Sequence, residues 1–89
     1  MTDAAVKIKI MPESLDTNLK EIEKVVKSKL EKEGAIINKT EEQDIAFGLK
    51  ALIITFGWPE KKDTSIIEDK AKVKGVNSVQ IIDYRRAFG

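Results

Sequence analysis

The chain has no cysteine and no histidine. The first absence excludes disulfides, thiolate nucleophiles and zinc–thiolate sites. The second removes the commonest general base and metal-ligating ring. No stretch approaches the roughly 18 apolar residues of a membrane span. Met1-Thr-Asp-Ala4 lacks the basic and apolar regions of a signal peptide. The glycines Gly34, Gly48, Gly57 and Gly75 are dispersed, so no phosphate-cradling loop is visible and no cofactor is expected. An excess of one charge is missing too: sixteen Lys plus Arg face fifteen Asp plus Glu, and net +1 gives no general drive toward nucleic acid or membrane. These absences describe a cytoplasmic protein that binds something rather than an enzyme that breaks a covalent bond.

What is present fits a single domain spanning 1–89. A chain this short buries only about 60–65% of its unfolded surface, so its core is modest. Its organising stretch is Asp44–Phe56. Leu49 to Phe56 is mostly apolar and rich in branched residues, the composition of a strand in the middle of a sheet. Before it comes Ala46-Phe47-Gly48, an aromatic beside a glycine just outside a strand.

Ala5 to Ile10 alternates strictly, with Val6, Ile8 and Ile10 on one face and Lys7 and Lys9 on the other. Met11-Pro12 is expected to end this first strand, since proline cannot donate to a ladder. Asn18 with Glu21 resembles a capping box, and Leu19, Ile22, Val25, Val26 and Leu30 then recur at helical spacing to about Glu33, with Gly34 as the stop. Ala35–Glu42 reads as a polar edge strand. In the third strand, Leu52, Ile54 and Phe56 are assigned to a helix-covered side and Ala51, Ile53 and Thr55 to an open side. Gly57–Lys62 reads as a turn, Asp63 as a cap for a helix from Thr64 to about Lys74, and Val79 with Ile81 as the mark of a fourth strand to about Tyr84. Arg85 to Gly89 reads as a tail.

The order strand, helix, strand, strand, helix, strand with right-handed crossovers gives an α+β fold, the ferredoxin-like split β-α-β sandwich. Its antiparallel sheet is ordered 4-1-3-2 with both helices on one face. The Phe47 loop then lies at one end with the Met11–Thr17 loop and the Gly75 turn, and the C-terminal residues emerge at the other near Gly57–Lys62. The third strand separates these ends by roughly 25 Å.

Several residues have two readings. Phe47-Gly48 is either a binding knob or a cap folded back on the core. Arg85-Arg86 is either a charge pair suited to carboxylate or phosphate, or a solvated tail. Trp58-Pro59 is either a hydrophobic cap or a contact. Glu41, Glu42 and Asp44 match no calcium loop, which favours a polar hairpin over a cation site. The helix lysines alternate with glutamates and form a solvated face. An RNA-binding module of this topology would stack bases on aromatics of the open face; only Tyr84 is available there, without the usual motif.

Four spaced segments carry a resemblance: Ile10-Met-Pro-Glu-Ser14, Ile45-Ala-Phe-Gly-Leu49, Asp63-Thr64 with Gly75-Val76, and Asp83-Tyr-Arg-Arg86. Together they resemble the archaeal translation elongation factor 1-beta family along essentially the whole chain. The resemblance implies a guanine-nucleotide exchange factor for the GTPase elongation factor 1-alpha. The protein is expected to be a monomer when free, and its balanced charge and lack of a long apolar run predict no direct contact to nucleic acid or membrane. The resemblance further implies that the aromatic–glycine loop, here Phe47 and Gly48, meets the second domain of the partner. It also implies that the opposite end disturbs the partner's magnesium and phosphate site through a near-terminal lysine. Setting Tyr84 on the family's terminal aromatic places Arg86 at that lysine and Ala87 at the aliphatic that follows. This chain departs in having arginine there and in continuing to Phe88-Gly89.

Overall fold

Side-chain alternation builds the sheet outward from its first strand. The computed structural model describes residues 3–86, and β1 (Asp3–Pro12) holds Ala4, Val6, Ile8 and Ile10 fully buried on one face. The strand is longer than Ala5–Ile10 at both ends. Pro12 is its last residue, where a missing N–H interrupts the ladder least, and the register shifts between Met11 and Pro12.

Helix α1 (Leu19–Lys32) starts as its sequence predicts. The Asn18 side chain accepts from the backbone N–H groups of Lys20 and Glu21, at 3.0 and 3.3 Å. It ends in a Schellman motif: Ala35 N–H donates to the Leu30 carbonyl and Gly34 N–H to that of Glu31, each at 3.0 Å, with Gly34 at φ 101°. Ile22, Val26 and Leu30 form the buried stripe.

Strands β2 (Ile36–Asp44) and β3 (Lys50–Pro59) follow, then α2 (Ser65–Ala71) and β4 (Val76–Arg86). The sheet order is β2-β3-β1-β4 and each neighbouring pair is antiparallel, so β2 is an edge and β3 is central, as expected of the ferredoxin-like sandwich. Leu52, Ile54 and Phe56 join the helix-side core with Ile67 and Ala71. Ala51 and Ile53 are buried outside that cluster, on the open side.

The expected boundaries change in three places. Gly57-Trp58-Pro59 is not a turn but the end of β3, and continuing the alternation of Leu52, Ile54 and Phe56 puts Trp58 in the core. Helix α2 stops at Ala71 rather than near Lys74, because the chain turns there: Val73 N–H donates to the Ala71 carbonyl and Val76 N–H to that of Val73. Its cap is Thr64, without a side-chain bond, while the Asp63 carboxylate accepts from Ser65 N–H at 2.9 Å. Finally, β4 runs through Arg85 and Arg86, which pair with Ala5 and Ala4 of β1 and are therefore strand rather than tail. The expectations for Ala87, Phe88 and Gly89 lie outside the described residues.

A bulge shapes β4. Lys7 pairs with Asp83 but Ile8 pairs with Ile81, so Ile82 is the extra residue and the side-chain parity reverses across it. Tyr84 consequently lies opposite Val6 on the helix side, not on the open face.

Candidate functional site

The long axis of the molecule, 42 Å against 21 and 18 Å, makes its two ends the most separated surfaces. Strands of 10 and 11 residues, at about 3.3 Å per residue, span roughly 33–36 Å and exceed the shorter expectation.

At one end β2 and β3 meet in a tight turn. Leu49 N–H donates to the Ala46 carbonyl and Ile45 N–H to that of Leu49, both at 2.9 Å. The two central residues both have positive φ, 54° at Phe47 and 80° at Gly48. Two successive positive φ values are those of a primed turn, here within the five residues that link Asp44 to its partner Lys50, and such positions favour Asn-Gly because asparagine tolerates the left-handed region. A phenylalanine there is strained. Its ring is not repaid by burial, since Phe47 is 94% exposed. The ring therefore stands out from the turn and does not fold back on the core.

The loop after β1 stands beside this turn. Glu13 N–H donates to the Gly75 carbonyl at 2.9 Å, and Ser14 N–H to the Thr17 hydroxyl at 3.2 Å. Between these fixed points Leu15 is 66% exposed, and a Cβ on Gly48 would lie 3.4 Å from its Cδ2. Ile45 is also exposed, so three large apolar side chains gather at this end. Sequence reasoning named only Phe47. The missed signal was a lone leucine in an otherwise polar loop, Glu13 to Thr17.

The other end combines a buried aromatic with exposed cations. Phe56 and Trp58 pack edge to face at 6.1 Å between centroids. The Trp58 Nε1–H donates to the Lys62 carbonyl at 3.3 Å, and the Lys62 ammonium lies 5.8 Å from the indole centre. That ammonium also donates to the Glu33 backbone carbonyl at the end of α1 and, at 3.0 Å, to the Glu33 Oε1. The hydrogen bond and charge of Lys62, with a further contribution from Lys70, hold the Glu33 carboxyl below its usual range. Trp58 is thus a structural anchor; the contact alternative does not hold.

Arg85 and Arg86 share a strand but not a face. Arg85 lies opposite Ala5 on the open side and its Nε stands 3.3 Å from the Asp83 Oδ2. Arg86 lies opposite Ala4, in the row that contains Trp58, on the helix side. Among the described residues no salt bridge engages Arg86. The sequence pair is therefore not one cationic patch.

Two of the three acidic hairpin candidates are paired with lysines. Glu41 pairs with Lys39 at 2.9 Å and Glu42 with Lys50 at 3.8 Å. The Lys39 hydrogen bond and charge, with the charge of Lys7, lower the Glu41 carboxyl. Among the described residues no group of three or more potential metal ligands converges. No helix is long and apolar enough to cross a membrane.

Comparison with known proteins identifies the family. Residues 5–86 match the model of the EF-1 guanine nucleotide exchange domain. The chain is 44% identical to elongation factor 1-beta of Methanosarcina barkeri, across 97% of this chain and 99% of that protein. It is 36% identical to that of Metallosphaera sedula, across 97% of each, and 34% identical to that of Methanothermobacter thermautotrophicus, across 97% and 98%. From residue 5 to residue 86, through both ends of the sheet, the chain belongs to the EF-1 guanine nucleotide exchange domain family.

Proposed function

We propose that this protein promotes exchange of GDP for GTP on elongation factor 1-alpha in the cytoplasm, as a non-enzymatic factor acting with both ends of its sheet. The observation that carries the reading is Phe47: a strained, 94% exposed aromatic held at the centre of the β2–β3 turn, which nothing in the fold requires. Phe47 and Gly48 anchor one domain of the GTPase. Arg86, at the far end of a rigid strand, reaches the nucleotide site of another domain. Arg85 supports that end from the open side through its pair with Asp83.

No general base or nucleophile is needed for this. An exchange factor must bind the nucleotide-free partner better than the loaded one, because only differential affinity shifts an equilibrium. An anchor far from the nucleotide keeps the two proteins together in both states. A guanidinium brought to the phosphate and magnesium site competes with the cation there and weakens nucleotide binding. Arginine supplies a permanent charge and a planar fork, bulkier than the family's lysine.

The test is release of a fluorescent GDP analogue from elongation factor 1-alpha. Catalytic amounts of the protein are expected to accelerate it; no acceleration with a folded, nucleotide-competent pair overturns the reading. Direct RNA binding through the open face is the competing reading. It lost its one stacking residue when the bulge at Ile82 carried Tyr84 to the helix side.

A further inference from the structure

Beside Phe47 the β1–α1 loop and the β2–β3 turn enclose a cleft of about 400 Å³, lined by Leu15, Leu19, Gly48 and Leu49, with Lys20, Glu42 and Lys50 among its polar rim. We infer that Leu15 is a second apolar anchor and that this cleft receives an apolar side chain of the GTPase, flanked by a carboxylate that meets Lys20. The inference rests on the exchange-factor reading and extends its contact from one residue to an interlocked surface.

Three observations carry it. The first is continuity. A Cβ at position 48 would stand 3.4 Å from a Leu15 methyl, an ordinary contact distance, so the leucine and the turn lie side by side along the same cleft. The second is rigidity. Glu13 is tied to Gly75, Ser14 to Thr17, and Asn18 to the first turn of α1, so Leu15 is held out from a loop fastened on both sides. Anchors presented in this way lose little freedom on binding, which is the condition under which an exposed apolar side chain contributes most. The third is charge. Lys50 is engaged by Glu42 at 3.8 Å, whereas among the described residues Lys20 forms no salt bridge. An incoming apolar residue with an adjacent carboxylate satisfies floor and rim together.

Glycine at 48 has a second use in this arrangement. Its φ of 80° suits the turn, and its lack of a side chain leaves the cleft open between Leu15 and Leu49.

The experiment measures the affinity of nucleotide-free elongation factor 1-alpha for Leu15→Ala, Lys20→Glu, Phe47→Ala and the Leu15→Ala/Phe47→Ala double variant, by titration calorimetry at two salt concentrations. Leu15→Ala is expected to raise Kd about tenfold and Lys20→Glu several-fold, the latter mainly at low salt. The double variant is expected to lose less than the product of the single losses, because the two side chains share one contact. Denaturation of each variant checks folding, which exposed positions 15 and 20 leave intact. If Phe47→Ala weakens binding while Leu15→Ala stays within twofold, the second anchor is wrong and the primary contact stands. If neither variant changes Kd, this end of the sheet is not the contact and both assignments fail.

Discussion

Phe47 and Trp58 flank the same strand, one at each end of β3, and each sits next to a glycine. Their fates are opposite. Trp58 is fully buried, packs on Phe56, and finds a hydrogen-bond acceptor in the Lys62 carbonyl. Phe47 is almost fully exposed and occupies a backbone region that penalises it. One aromatic supports the fold and the other is carried at the fold's expense. Proximity to glycine does not distinguish them; parity does. Trp58 continues the even-numbered core face of β3, whereas Phe47 falls in the turn, where no face exists.

The largest expected effect breaks the comparison at its structural member. Trp58→Ala removes a fully buried ring and orphans the contact with Lys62 that joins the β3–α2 turn to the end of α1. The expected loss is about 3–5 kcal/mol. A small domain holds only about 5–15 kcal/mol in total, so the variant is expected to be partly unfolded at modest urea concentrations. Urea denaturation followed by circular dichroism measures this. A loss under about 1 kcal/mol would make Trp58 a surface residue in effect and remove the contrast with Phe47.

The next effect separates the two ends by function. Phe47→Ala is expected to weaken binding of elongation factor 1-alpha by about 2 kcal/mol, the scale of an interface anchor. Arg86→Ala is expected to slow GDP release by about tenfold while changing binding much less, because the proposed function assigns it to the nucleotide site rather than to the anchor. Arg85→Ala, whose guanidinium is already paired with Asp83, is expected to change both within about threefold. Stopped-flow release over a range of factor concentrations separates the half-saturating concentration from the limiting rate. Equal losses in both parameters for Arg86→Ala would make it a second anchor, and the division of labour between the ends would fall.

Most of this architecture was legible in the residues. Alternation in β1, helical spacing from Leu19 to Leu30 and the apolar run of β3 each carry strong periodic signals, and the order of elements leaves few topologies open. What escaped was the behaviour at strand ends. Gly57 and Pro59 are strong turn signals, and they masked the continued alternation that buries Trp58. The bulge at Ile82 has no sequence mark: Ile81 and Ile82 are both apolar, and only the register against β1 shows that parity reverses between them. Without it, Tyr84 counts as an open-face residue, and only the pairing of Arg85 and Arg86 with β1 shows that they are strand rather than tail. Phe47 was readable as a candidate but not as an exposed one, because exposure depends on the φ values at the centre of the β2–β3 turn.

The smallest expected effect is the most diagnostic of the strain. Phe47→Asn restores the residue that a type I′ turn prefers at its first central position. Asparagine keeps its Cβ, but its short amide can hydrogen-bond the local backbone and so offsets a penalty of about 1 kcal/mol for an ordinary side chain with positive φ. The ring contributes little in return, since it is nearly all in water. The variant is therefore expected to be more stable than the parent by about 1 kcal/mol, a rise in Tm of about 4–8 °C in a domain of this size. It is also expected to exchange as poorly as Phe47→Ala. Calorimetric unfolding and GDP release on the same preparation test both halves. A variant that is less stable would show that the ring packs on the turn after all. One that is more stable and still fully active would show that the strain serves no contact.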